Sequence, residues 1–159
     1  AVSTAEDNLE MTMAAAAGLI NLWLAIRIGQ VRTSQKVSVG DGGNEFVIRR
    51  MRAQANFVEY TPFVLVLIGA LECSGYAATW LWVVGIVYMI GRLAHGLGMD
   101  GGAFGIGRMI GTLTSMLTLL GLSFDATTPA SWSLALLLLL LGAALLALAR
   151  RGWRRGING

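Results

Sequence analysis

Five stretches of the chain are apolar over enough residues to cross a bilayer: 11–31, 57–71 with the helical stretch before it, 77–97, 106–124 and 131–149. A spanning helix needs about 20 mostly apolar residues, because each residue rises about 1.5 Å through a hydrocarbon layer about 30 Å thick. No run of segments alternates apolar and polar residues at period two, so a barrel is not expected. The pattern predicts an all-α transmembrane helical bundle in three parts: an acidic segment over 1–10, a four-helix core over 11–124, and a further spanning helix with a basic tail over 125–159. Asp125, Thr127, Thr128 and Pro129 interrupt any continuous helix ahead of the last leucine-rich run. Trp153 and the flanking arginines suit the membrane interface at its end. A four-span bundle with its last helix lying at the surface is the alternative.

Composition agrees with this class. Hydrophobic residues are 55% of 159, charged residues 13%, and the mean hydropathy is +0.66. A soluble domain devotes about a quarter of its residues to charge, so this chain has too little polar surface to cover a water-facing globule. The single cysteine, Cys73, excludes an intrachain disulfide and any multi-cysteine metal site, and it reads as a small packing residue. Glu6, Asp7 and Glu10 precede the first apolar run, whereas a signal peptide opens with a basic region, so a cleaved leader is not expected.

A net charge of +3 invites a nucleic-acid reading, which the positions of the charges exclude. With five crossings, loops 32–45 and 98–107 and the C-terminal tail share one side. The basic residues Arg27, Arg32, Lys36, Arg49, Arg50, Arg52, Arg92, Arg108, Arg150, Arg151, Arg154 and Arg155 all lie on that side or in the helix ends leading to it. The opposite side holds Glu6, Asp7, Glu10, Glu72 and Asp125. Positive residues are retained in the cytoplasm. The expectation is a multi-pass protein of a bacterial inner membrane, N-terminus outside and C-terminus cytoplasmic, with anionic lipid as an added attraction for the basic side.

Within the second span, Glu45, Arg49, Arg52, Asn56 and Glu59 are spaced four, three, four and three residues apart. At about 100° per residue they share one helix face within roughly 80° of arc. Arg50 falls off that face, and Phe63 continues it as an apolar contact. Charge in hydrocarbon is costly unless paired or solvated, so the face must meet protein or water. Two readings stay open from spacing alone: an interhelical polar network that fixes packing, or a ligand site. In the third span Tyr88, Arg92, His95 and Met99 repeat the pattern. If these two helices pack antiparallel with their polar faces together, Arg49, Arg52, Asn56, Glu59, Arg92 and His95 converge on a guanidinium-rich pocket for a small anion. His95 has no second His or Cys beside it, so a metal site is not expected. The Gly-rich loop 98–107 is not followed by Lys-Ser or Lys-Thr, which rejects a nucleotide-binding P-loop. It reads as a flexible connection. Gly107 and Gly111 form a G-x-x-x-G pair, a signal for close helix approach.

The run Arg49-Arg50-Met51-Arg52-Ala53-Gln54-Ala55-Asn56-Phe57-Val58-Glu59-Tyr60-Thr61-Pro62-Phe63 resembles the signature of the MAPEG family, the membrane-associated proteins in eicosanoid and glutathione metabolism. Residues 39–44 and the run Gly91-Arg92-Leu93-Ala94-His95 resemble its bacterial branch. The likeness covers roughly residues 14–122, leaving the N-terminal ten residues and the last apolar run outside. It implies a four-helix membrane bundle that assembles as a homotrimer and binds glutathione between neighbouring subunits, toward the cytoplasmic side. It also implies conjugation of glutathione to lipophilic electrophiles, reduction of lipid hydroperoxides, or isomerisation of lipid endoperoxides. The family's glutathione contacts fall on Arg52, Asn56, Glu59 and Tyr60, to which the polar faces add Arg49 and Arg92. The arginine that stabilises the thiolate falls on Arg108, with His95 as second choice. The sequence departs from many members in offering Arg92 and His95 where the third helix would supply a tyrosine.

The chemistry suits glutathione, which carries two carboxylates, an ammonium and a thiol. Arginine pairs with carboxylates through charge-assisted hydrogen bonds, and Glu59 suits the ammonium. A nearby guanidinium favours thiolate. Three functions follow as expectations. One is a glutathione-dependent transferase or peroxidase fed with lipophilic substrate from the membrane. Another is a non-enzymatic subunit that docks a larger membrane complex through residues 131–149. The weakest is a proton-coupled transporter built on Glu59 and His95, for which the chain shows no inverted repeat.

Overall fold

The computed structural model describes residues 8–74 and 79–126. Four long helices follow in order: α1 (Leu9–Gln35), α2 (Glu45–Cys73), α3 (Thr79–Gly98) and α4 (Ile106–Asp125), with a 3₁₀ turn at Gly102–Phe104 between α3 and α4. Each is long and apolar enough to cross a membrane. The described residues up to Ser123 belong to one compact unit. The acidic segment before Asn8 and the expected fifth span at 131–149 lie outside the described residues.

Each helix buries one narrow stripe. In α1 it is Leu9, Met13, Ala17, Ile20, Leu24, Arg27 and Val31, and in α2 Val47, Ala53, Phe57, Thr61, Val64, Ile68 and Leu71. Steps of three and four residues, with one of six from Val47 to Ala53, keep these side chains on one side of each cylinder. The opposite faces are also apolar, with Leu19, Leu22, Ile26, Val66, Ile90 and Leu117 exposed. Arg27, Thr61, Arg92, His95, Ser115 and Thr118 are buried instead. An exterior as oily as the interior, with these six polar side chains turned inward, is the arrangement that lipid as solvent selects.

The helix ends are fixed by identifiable groups. Asn44 caps α2, its side-chain oxygen accepting from the amides of Phe46 (3.0 Å) and Val47 (3.3 Å). This cap starts the second helix at Glu45, twelve residues before its apolar run at Phe57. The first turn of α1 is capped from a distance: the Glu72 carboxylate at the end of α2 accepts from the amides of Leu9 (3.1 Å) and Glu10 (2.9 Å). A negative group there satisfies orphan donors and complements the helix dipole. Lys36 closes α1 in the left-handed region, φ 55°.

Helices α3 and α4 approach through glycine. A Cβ on Gly91 would come within 2.9 Å of Thr114, one on Gly107 would strike the carbonyl of Ala94, and one on Gly111 would strike the carbonyl of Gly91 and Cβ of His95. The Gly107–Gly111 pair is therefore the close-approach motif that its spacing suggested.

Candidate functional site

The interior of the bundle carries a ladder of polar contacts. The Thr61 and Tyr88 hydroxyls share a hydrogen bond of 2.9 Å that ties α2 to α3. Arg92, 1% exposed, donates through Nη1 to the Ser115 hydroxyl on α4 at 3.0 Å, and its guanidinium lies 5.5 Å from the centre of the Phe57 ring. Ser115 in turn donates to the carbonyl of Gly111 at 2.8 Å. His95, on the same face of α3 one turn later, makes a 3.2 Å contact from Nδ1 to the backbone carbonyl of Arg108. A carbonyl only accepts, so Nδ1 carries a proton in this contact.

The ladder is incomplete. Arg92 Nε, His95 Nε2 and Asn56 Oδ1 are buried without a hydrogen-bond partner among the described residues. No carboxylate pairs with Arg92 among them either. A buried guanidinium held by one hydroxyl and one ring face has more donors than acceptors, and each unmet donor in such surroundings costs about 1–3 kcal/mol.

The expected site residues separate into three groups by exposure. Arg92 and His95 are buried. Arg49, Asn56 and Tyr60 are partly covered, while Arg52, Glu59 and Arg108 are exposed on the single chain. Convergence of Arg49, Arg52, Asn56, Glu59, Arg92 and His95 inside one chain does not occur. The reason lies in the faces of α2: Ala53, Phe57 and Thr61 form its buried side. They are rotated about 100° from Arg52, Asn56 and Tyr60 respectively. The polar stripe therefore runs along the outside, and Asn56 is its inner edge. Arg49 pairs with Glu45 one turn earlier, with Nε at 3.0 Å from the carboxylate. Its Nη1 would lie 2.7 Å from a Cβ on Gly101, which has φ +83°, so this guanidinium rests against the Gly-rich connection. Tyr60 and the Arg108 side chain make no hydrogen bond among the described residues.

A third cluster escaped the sequence pattern. Arg27, 8% exposed, stacks on Trp23 at 4.6 Å, donates to the carbonyl of Gly96 at 2.8 Å, and is ion-paired with Asp100. Arg50 reaches the same carboxylate at 3.1 Å and donates to the carbonyl of Arg27 at 2.9 Å. Asp100 thus fastens the α3–α4 connection to α1 and α2, so the connection that leads to Arg108 is held at its start. The available signal was Arg27 itself, a charge four residues after Trp23 inside an apolar run.

Four membrane-length helices, glycine-packed and polar within, define a small helical-bundle membrane protein. Comparison with known proteins makes this specific. The MAPEG family model matches residues 11–128, and the chain belongs to that family. It is also similar to the inner membrane protein YecN of Escherichia coli K12 and of Escherichia coli O6:H1 strain CFT073, 35% identical to each over 78 residues. The match takes in 48% of this chain and 59% of those relatives, so it spans little more than half their length.

Proposed function

We propose that this protein is a membrane-bound glutathione-dependent transferase or peroxidase acting on lipophilic electrophiles or lipid hydroperoxides, housed in a bacterial inner membrane like its YecN relatives. The carrying observation is the pair Arg52 and Glu59, exposed on a spanning helix beside half-buried Asn56, whose Oδ1 has no partner among the described residues. Glu59 is fourteen residues from either end of α2. Its charge is about 21 Å along the helix from each terminus and two residues inside the apolar run that begins at Phe57. Two opposite charges two turns apart, uncovered at that depth, call for a zwitterionic polar occupant and a neighbouring subunit over it. Glutathione meets the requirement: Arg52 takes a carboxylate, Glu59 the ammonium, and Asn56 Oδ1 an amide N–H. Tyr60 and Arg49 border this strip, and Arg92 with His95 lies behind it.

In this reading Arg108, at the first turn of α4 with a guanidinium unpaired among the described residues, favours the thiolate by charge. The His95–Arg108 backbone contact fixes where that arginine starts. Lipophilic co-substrate reaches the thiolate laterally from the bilayer. The assembly is a homotrimer with the N-terminus outside and the C-terminus cytoplasmic.

Calorimetry on purified protein tests the reading. Wild type is expected to bind glutathione, and Arg52→Ala to weaken binding at least tenfold, on the order of 1.4 kcal/mol. Absence of binding heat in the wild type refutes it.

A further inference from the structure

We infer that Asp100 is a positioning residue: gripped by Arg27 of α1 and Arg50 of α2, it holds the α3–α4 connection that aims Arg108 and so sets the acidity of the bound thiol. This role rests on the glutathione reading and deepens it, placing a control of the same site outside the polar strip on α2. Asp100 carries the contacts of two helices at once. Arg27 is ion-paired with it, and Arg50 reaches it through Nε at 3.1 Å and Nη2 at 3.5 Å. The two arginines are joined in turn, because Arg50 donates to the carbonyl of Arg27 at 2.9 Å. Arg27 is 8% exposed, and its other partners are the Gly96 carbonyl and the Trp23 ring. Asp100 is therefore the one carboxylate that Arg27 pairs with among the described residues. Arg49 of α2 adds a third guanidinium, resting against Gly101, the next residue along.

The connection has little stiffness of its own. Gly101 and Gly102 adopt φ of +83° and +66°, a region that glycine enters without steric cost, and Gly105 and Gly107 follow. Asp100 precedes Arg108 by eight residues. Arg108 is tied to that stretch by its amide, which donates to the Gly105 carbonyl at 3.3 Å. Its own carbonyl is held by His95 Nδ1 at 3.2 Å. The His95 tether fixes where the first turn of α4 lies. The tether through Gly105, running back to the clamped Asp100, fixes which way that turn faces. With no hydrogen bond to its side chain among the described residues, the Arg108 guanidinium follows its backbone. Coulomb attraction falls in proportion to distance, so a guanidinium that swings from about 4 Å to about 8 Å from the sulfur loses half its attraction for thiolate. A clamped connection keeps it near.

The test compares the full wild-type chain with the double variant Arg27→Met/Asp100→Leu, which removes one charge of each sign and leaves the net charge unchanged. Replacing an ion pair by apolar side chains of similar size is often neutral for stability, and circular dichroism with thermal unfolding checks that the variant folds. In ligand-free protein, amide hydrogen exchange over residues 99–108 is expected to quicken roughly tenfold or more. Glutathione affinity should stay within about threefold. The pH midpoint of the thiolate ultraviolet absorbance should rise by about one pH unit, a tenfold loss of acidity. Asp100→Asn gives an opposed control. Through space, losing a negative charge favours thiolate and moves the midpoint down, whereas losing the clamp moves it up. An unmoved midpoint in the double variant overturns the proposal, as does unchanged exchange or a downward move in Asp100→Asn. The two possible failures read differently. A wild type without thiolate absorbance defeats the glutathione reading and the Asp100 role together, while a wild-type signal that the folded double variant leaves unmoved defeats the Asp100 role alone.

Discussion

In the proposed glutathione site, Arg108 would act through its side chain and His95 through the backbone it holds. His95 Nδ1 holds the Arg108 carbonyl, which also accepts from the Thr112 hydroxyl at 2.9 Å, so the first turn of α4 is fixed while the guanidinium has no partner among the described residues. Arg108→Ala is expected to leave glutathione binding within about threefold while abolishing the ultraviolet absorbance of bound thiolate. Unchanged absorbance would remove Arg108 from the reaction. Thr61–Tyr88 is structural by contrast, and Tyr88→Phe should lower stability by about 0.6 kcal/mol, typical of a hydrogen bond between membrane helices, without changing affinity for glutathione. At this scale the sequence is legible where charge interrupts an apolar run, which singles out Arg52, Asn56, Glu59, Arg92 and His95. It is opaque where a partner is remote. Asp100 lies 73 residues from Arg27 and 50 from Arg50, and no spacing rule links positions so far apart.

Glycine decides how closely α3 and α4 pack. Gly111→Val places methyl groups against the Gly91 carbonyl and the His95 side chain. Overpacking of this kind costs about 1–3 kcal/mol, so thermal unfolding in detergent should shift markedly downward. It should also disturb the His95–Arg108 contact. Gly18 on α1 has nothing within 4 Å of its Cβ position, so Gly18→Ala should be neutral or stabilise by up to about 1 kcal/mol. Equal effects from both substitutions would show that general helix propensity, and not the α3–α4 seam, controls stability. The four helices themselves were readable from length and hydropathy, because lipid imposes the same span on each. Their starts were less so: α2 begins at Glu45 because Asn44 caps it, and α1 is capped by Glu72, a residue of another helix. Hydropathy carries neither piece of information. The connection 98–107, which reads as flexible from its glycines, contains a 3₁₀ turn and is tied down by Asp100.

For the whole molecule, the placement of α2 has a consequence for assembly. The bundle buries Ala53, Phe57 and Thr61, so the same helix turns Arg52, Glu59 and Phe63 outward. The sequence shows that these residues share a face, yet periodicity assigns no face to the interior when both sides of a helix are apolar. Had the stripe pointed inward, one chain could have held a ligand alone. Pointing outward, it leaves a guanidinium just before the apolar run and a carboxylate just inside it, where contact with lipid is costly unless each is paired or solvated. In the proposed assembly a second copy over α2 would remove that exposure and, with Arg92 and His95 on the neighbouring helix, would close a site between subunits. Native mass spectrometry in mild detergent should therefore find a trimer. Replacing both charges, as Arg52→Leu/Glu59→Leu, should leave the helices intact and remove the penalty for standing alone, so monomer should accumulate in that variant if polar contacts hold the subunits together. Wild-type protein that is monomeric in both detergent and bilayer would mean that Arg52 and Glu59 face lipid or water as single charges. The composite site would then have no second wall.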